Sequence, residues 1–323
     1  MSCPAGQRTL RPTGGQPIVE IEVTCRPVRF LGSALHFLWL VLVVTALAIV
    51  YGLGRLGTLV LWGARKRRAI GTLRGWTLRQ GMTSLGATFI KLGQVMSTRP
   101  DLFSPQVIAQ LRGLQDRLPP FAYSKAAATI REELGKPVEE VFADFEEQPV
   151  AAASVAQVHR AHLVDGTEVA VKILRPGVRR QVERDAAILI SGSKLLTIRA
   201  KWRLSDPVGH TKHFVDAIHE QTDLRIEAAN YTRFAENFAA MPEVKFPKIY
   251  PELSTERMLV MEFVRGTKVD ALPPEFGGAK QLALAKTIRT AMFKMCFEHG
   301  FIHADLHPGN MLVEDLSTVT IVP

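Results

Sequence analysis

Leu31 to Tyr51 is a stretch without a single charge, reading LGSALHFLWLVLVVTALAIVY. About 20 apolar residues are what the hydrocarbon core of a bilayer asks of a helix. The stretch is therefore predicted to cross a membrane once, as a transmembrane helix over 31–54. Trp39 lies within it, while Tyr51 and Trp62 fall nearer its end, where aromatic rings favour the interface. A helix buried in a soluble core is also apolar all round. Such a helix is rarely followed by Arg65-Lys66-Arg67-Arg68, as this one is. A cleaved signal sequence fits less well, because the run is long and begins thirty residues into the chain. Leu53–Trp62 either extends the helix or lies at the interface, with Arg55 snorkelling.

The charge distribution agrees. The formal charge of the 323-residue chain is +9, and residues 1–80 account for all of it with eleven bases and two acids. The rest is balanced, at 29 bases and 29 acids. A basic excess confined to the flank of an apolar run points to a membrane surface and away from nucleic acid. Seven bases follow the run and only Arg26 and Arg29 closely precede it, so the positive-inside rule places the C-terminal part in the cytoplasm. Cys3, Cys25 and Cys296 form no CxxC pair, which excludes a disulfide scaffold and a cysteine zinc site. Glu20 and Glu22 and the lack of an amphipathic presequence favour a bacterial inner membrane over a mitochondrial one.

Beyond the basic segment the pattern is helical. Leu73, Trp76, Leu85, Phe89, Leu92 and Met96 recur at three- and four-residue spacing and predict one helical run over Ala69–Met96, ended by Arg99-Pro100. Ser104-Pro105 reads as an N-cap with proline at N1, and Ser124 as the cap of a further helix that stops at Gly135. The Lys-Leu-Gly-Gln run at 91–94 says nothing by itself.

Residues 155–174 then switch to a period of two. Gln157 and His159 alternate with Ala156 and Val158, and Asp165-Gly166 predicts a two-residue hairpin turn. On the return strand Val169, Val171 and Ile173 share one face, and Ala170, Lys172 and Leu174 share the other. An ammonium in that apolar setting must snorkel outward or meet a carboxylate or a phosphate. The second apolar strand, Met258–Val264, carries one acid and leads into Arg265-Gly266.

The densest chemistry is at 301–313, FIHADLHPGNMLV, after a helix predicted to turn Ala283, Ile288, Met292 and Met295 inward and to close at His299-Gly300. Asp305 followed five positions later by Asn310 suits phosphoryl transfer, with a carboxylate to orient or deprotonate a hydroxyl and an amide oxygen to hold Mg²⁺. Zinc is the competing idea, but His303, Asp305 and His307 lack a fourth ligand nearby and Asn310 would be unexplained. A plain polar turn is the other, given Pro308-Gly309. Val319–Pro323 is predicted to pair with Met311–Val313.

Taken in order, KLGQ (91–94), STRPDLFS (97–104), LQDRLPP (114–120), AAASVAQVH (151–159), VAVKILRPG (169–177), TDLRIEAAN (222–230), VMEFVRG (260–266) and HADLHPGN (303–310) resemble the UbiB/AarF/ADCK family of atypical kinases over about 69–323. The resemblance implies an α+β, protein-kinase-like fold with a complete N-lobe, a truncated C-lobe, an N-terminal helical extension and one transmembrane helix. The chain then divides into a tail (1–30), the span (31–54), a basic juxtamembrane segment (55–80), the extension (81–148), the N-lobe (149–264) and part of a C-lobe (265–323).

The resemblance also implies ATP or ADP with Mg as cofactors and a role in ubiquinone or other isoprenoid lipid biosynthesis. The membrane and isoprenoid or quinone lipids would be the partners. Lys172 matches the phosphate-binding lysine, Glu227 its helix partner, Asp305 the catalytic-loop aspartate and Asn310 a metal ligand. Ala151, Ala152, Ala153 and Ser154 replace the glycine-rich loop, and the adenine would bond to the backbone near Glu262 and Val264. Lys91, Gly93 and Gln94 would occupy the place of a peptide substrate, which argues against protein phosphorylation.

The chain departs from the family pattern at Gln221, where the first acid of an ExD motif is expected, leaving Asp223 as the second. Familiar members also often carry their membrane segments at the C-terminus. The Asp-Phe-Gly metal ligand does not occur within these residues, so they are expected to show little turnover alone. Two other readings follow from the same residues: a small-molecule phosphotransferase of the aminoglycoside or choline kinase type, and a catalytically inactive lipid-binding scaffold.

Overall fold

The computed structural model describes residues 30–60, 63–114, 119–198, 206–273, 276–303, 306, 308–314 and 318–323. Two compact units are distinguished, Met1–Trp39 and Leu40–Pro323. The described part of the first, 30–39, is the opening of helix α1 (Phe30–Gly57). From Leu38 to Val60, where a 3-10 turn ends, the chain is long and apolar enough to cross a membrane, with a mean hydropathy of 2.0. Trp62 lies outside the described residues.

Four helices follow. They are α2 (Gly63–Leu85), α3 (Ala87–Ser97), α4 (Pro105–Leu111) and α5 (Tyr123–Leu134), with a single turn α6 at Val138–Val141. The run expected over Ala69–Met96 is thus two helices. It breaks at Gly86, whose φ of 98° a helix cannot contain. Ser104 and Pro105 take the predicted N-cap and N1 positions. Ser124 does not cap: it lies inside α5, whose N-cap is Ala122, two residues earlier, and Gly135 ends the helix in the left-handed conformation.

The strands β1 (Phe142–Phe145), β2 (Ala151–Ala152), β3 (Ala156–Leu163), β4 (Glu168–Leu174) and β6 (Met258–Glu262) form an antiparallel sheet. Its order is β1-β3-β4-β6, with β2 pairing β3. The β3–β4 turn is longer than the predicted two residues. Gly166 N–H donates to Leu163 O at 2.9 Å, Leu163 N–H donates to Thr167 O at 2.9 Å, and Gly166 has a φ of 84°. This is a type I turn closed by a glycine bulge, and the Asp165 carboxylate stiffens it by accepting from Thr167 N–H.

Alternation assigns the two faces of the sheet. Val169, Val171 and Ile173 join Met258, Val260 and Ala161 in a core covered by Ile130 of α5. Ala170 and Leu174 join Leu259 and Met261 in a second core. That core is closed by helices α7 (Val178–Leu196), α8 (Pro207–Glu220), α9 (Leu224–Asn237) and α10 (Ala279–Phe293). A second sheet, β5-β9-β8-β7, brings β5 (Val244–Lys245), β7 (Thr267–Lys268), β8 (Met311–Val313) and β9 (Val319–Ile321) together. The predicted pairing of β8 with β9 is present, Met311 opposite Ile321. Helix α10 continues as a π-turn over Lys294–Glu298 and turns Leu284, Ile288, Ala291 and Met295 inward. Ala283 and Met292, expected inside, are exposed; Leu284 and Ala291 take the inward positions beside Ile288 and Met295.

Candidate functional site

Lys172 lies in the middle of β4, opposite Val158 on one side and Leu259 on the other. Its neighbours on that face, Ala170 and Leu174, are buried. The ammonium is not left to snorkel: Nζ donates to Glu227 Oε1 at 2.6 Å, and the two side chains are 13% and 23% exposed. Glu227 sits in the first turn of α9, where the helix dipole favours an acid. Of the two fates open to an inward lysine, the structure shows the carboxylate, with enough exposure left for an anion to reach the pair.

The same helix reaches the 301–310 loop. One turn beyond Glu227, Tyr231 is 3% exposed, and its hydroxyl lies 2.7 Å from His303 Nε2. Their rings meet edge to face. Nothing in the local sequence pairs residues 72 apart, and only the position of Tyr231 four residues after Glu227 hints at a shared face. Asp305 and His307 lie outside the described residues. Asn310 closes a 3-10 turn at the head of β8 and is half-buried.

The alanine segment is a tight hairpin. Ala151 and Ala152 pair with Val158 and Gln157, and Ala153 N–H donates to Ala156 O at 2.8 Å. Arg175 fastens its tip, donating from Nε to Ala153 O at 2.9 Å and from Nη2 to Pro119 O at 3.0 Å. The Ser154 hydroxyl is buried and has no hydrogen-bond partner among the described residues. Gln157 and His159, the polar members of AAASVAQVH, turn away from Lys172 into the other core. Gln157 Oε1 accepts from Phe121 N–H at 3.0 Å, and its Nε2 lies 2.7 Å from His159 Nε2. The other ring nitrogen meets Glu146 O at 2.8 Å, and burial pushes the His159 pKa down, so the imidazole is neutral and structural.

At the edge of the sheet, Glu262 N–H is already bonded to Lys248 O at 2.8 Å. No backbone bond to Val264 is formed among the described residues. Arg265 grips Glu168 with Nη2 at 2.8 Å, and Glu168 also takes Arg160, which ties this crossing to β4.

Lys91, Gly93 and Gln94 lie on α3. Gly93 packs so closely that a Cβ would collide with Leu114 Cδ1 and Met82 Sδ. Gln94 Nε2 donates to Leu114 O at 3.3 Å. Gln221 and Asp223 are not on one continuous helix. Gln221 caps the end of α8 and Asp223 caps the start of α9. Asp223 accepts from Arg225 N–H at 3.1 Å and from the Arg225 guanidinium at 2.9 and 2.6 Å. Burial raises its pKa, but the Arg225 bonds and the charge of Arg179 outweigh this and hold it below the usual value. The Gln221 side-chain oxygen is buried without a partner among the described residues.

Residues 113–322 match the model of the ABC1 atypical kinase-like domain. The chain is 37% identical over 243 residues to a probable protein kinase UbiB of Marinobacter nauticus, covering 75% of this chain and 44% of that protein. It is 38% identical over 240 residues to an uncharacterised protein of Synechocystis, covering 73% and 41%. The chain thus spans less than half the length of these relatives. Among solved structures it is similar to a Mycobacterium tuberculosis protein in complex with erythromycin, with 27% identity and a TM-score of 0.50 over 63% of this chain and 51% of that one. With its lysine–glutamate pair on the inner strand of a kinase-like sheet, the chain belongs to the ABC1 atypical kinase-like family, which includes the UbiB protein kinases.

Proposed function

We propose that the chain forms the nucleotide-binding half of a membrane-anchored atypical kinase or ATPase of UbiB type. It would bind ATP or ADP against the inner face of the sheet and support ubiquinone or other isoprenoid lipid biosynthesis. The observation that carries this reading is the Lys172–Glu227 ion pair, held at 2.6 Å on that face. Lys172 would take the nucleotide phosphates and Glu227 would fix the direction of the ammonium. Val264, with its backbone N–H and C=O unused among the described residues, suits the adenine edge. The buried, unpaired Ser154 hydroxyl in the alanine hairpin suits a phosphate oxygen.

Asp305 would orient or deprotonate the attacking hydroxyl. Asn310 offers one amide oxygen to Mg²⁺. Together with the nucleotide phosphates, Asn310 would hold that ion. Such an ion would neutralise phosphate charge. Lys91, Gly93 and Gln94 on α3 would cover the ground a peptide needs, which directs the activity away from proteins. The apolar α1 would anchor the chain, with the basic segment and the kinase-like domain in the cytoplasm of a bacterial cell.

Binding of a fluorescent ADP analogue to the full chain in detergent tests the reading. Lys172→Met and Glu227→Gln are each expected to weaken it roughly ten-fold or more, as for loss of a hydrogen bond to a charged group. Unchanged affinity in both variants sinks the assignment.

A further inference from the structure

The chain passes from the first sheet to the second at Phe263–Gly266, and each end of this crossing is fastened to a different sheet. One step past the Val169–Glu262 pair, Phe263 N–H donates to Glu168 O at 3.4 Å. The Arg160 guanidinium lies 5.3 Å from the centre of the Phe263 ring. At the other end Gly266 lies so close to β8 that a Cβ would meet Val313 O at 3.0 Å and Leu312 Cβ at 3.1 Å. Thr267 then pairs with Val313. Val264 and Arg265 stand between these anchors, outside any strand.

The Arg265 side chain reaches back to Glu168, the first residue of β4. Nε donates to Glu168 Oε2 at 3.1 Å, and Nη2 donates to Oε1 at 3.0 Å and to Oε2 at 2.8 Å. Glu168 therefore holds both neighbours of Val264, Phe263 through its carbonyl and Arg265 through its carboxylate. Arg160 bonds the same carboxylate and also donates to Glu146 Oε1 at 3.3 Å, which fixes the acceptor from the sheet side. The Arg265 bonds, helped by Arg160, outweigh burial and hold the Glu168 pKa below the usual carboxylate value, so the acceptor is charged at neutral pH. The Arg265 side chain is 71% exposed, so the carboxylate, and not packing, sets its position.

We infer that Arg265 is a positioning residue for the nucleotide base: its clamp on Glu168 holds the Val264 peptide groups in one direction and so makes the site select adenine. The inference rests on the nucleotide reading proposed above and adds a determinant of base selectivity to it. A backbone N–H and C=O held in a fixed order match the acceptor and donor on the adenine edge. Hypoxanthine has the same ring system and carries donor and acceptor in the reverse order. A site built to hydrogen-bond one edge rejects the other, because its own polar groups are then left unpaired. Without the clamp the crossing is free to turn, and the distinction between the two bases fades.

The test compares ADP with inosine diphosphate, each displacing a fluorescent ADP analogue from the full chain in detergent. The two ligands share ribose and phosphates, so a general loss of charge or of phosphate binding weakens both alike and leaves their ratio unchanged. The parent is expected to prefer ADP roughly ten-fold. Arg265→Ala should cut that preference roughly five-fold through weaker ADP binding, the upper end for an exposed ion pair, with the melting profile nearly unchanged. A parent without the preference, a preference kept in Arg265→Ala, or equal weakening of both ligands overturns the clamp alone. A parent that does not bind the analogue, or binds it as tightly with Lys172→Met and with Glu227→Gln, overturns the nucleotide reading and the clamp with it.

Discussion

A methyl group at position 93 would have nowhere to go. Gly93 faces Leu114 and Met82 where α2, α3 and the end of α4 converge, and all three residues are buried. Gly93→Ala should therefore cost about 1–3 kcal/mol, the range for overpacking a filled core, despite alanine's better helix propensity. Denaturant melts would measure it, and a stabilised variant would show that the two side-chain ends move aside freely. Asp223 is a second residue whose motif letter hides its job. Its pKa is depressed in the fold, so its stabilisation is complete above the unfolded value, near 3.9, and disappears as pH falls through the lower folded value. Asp223→Asn should be less stable than the parent at pH 7 and should lose less on going to pH 3. Parallel melts across that range give the comparison, and identical acid limbs would contradict it.

At the scale of elements, α9 is the part that joins sheet to loop. It holds Lys172 through Glu227 and His303 through Tyr231, both on one side of two helical turns. Tyr231→Phe keeps the ring among Phe234 and Phe246 and removes only the hydroxyl. The expected result is about 1 kcal/mol of lost stability together with weaker nucleotide binding. Calorimetry and nucleotide titration read the two effects, and an unchanged affinity would limit the bond to a packing role. Much of this level was legible in advance. Period-two alternation placed Lys172 on the correct face, and β8–β9 pairing followed from two short apolar runs. The failures have local causes: Gly86 interrupts a sound helical pattern, the Gly166 bulge lengthens a turn whose dipeptide looked shorter, and Ala122 rather than Ser124 caps α5. The contact between Tyr231 and His303 carries no sequence signal, because it is created by the docking of α9 against the loop.

For the whole molecule, the motifs identified the family and its fold, yet they were silent on what each of their letters does. Gln157 and His159, part of the AAASVAQVH string, prove to be a neutral buried brace between β3, Phe121 and Glu146. The strand order has a further consequence, for synthesis rather than catalysis. β4 is a central strand only once β6 is beside it, and β6 begins at Met258, roughly eighty residues after β4 ends at Leu174. While α7, α8 and α9 are being made, one edge of the apolar β4 is unpaired. Open apolar edges recruit other strands. The newborn chain is most prone to aggregate in that interval, and Met258–Glu262 is the segment whose arrival ends it.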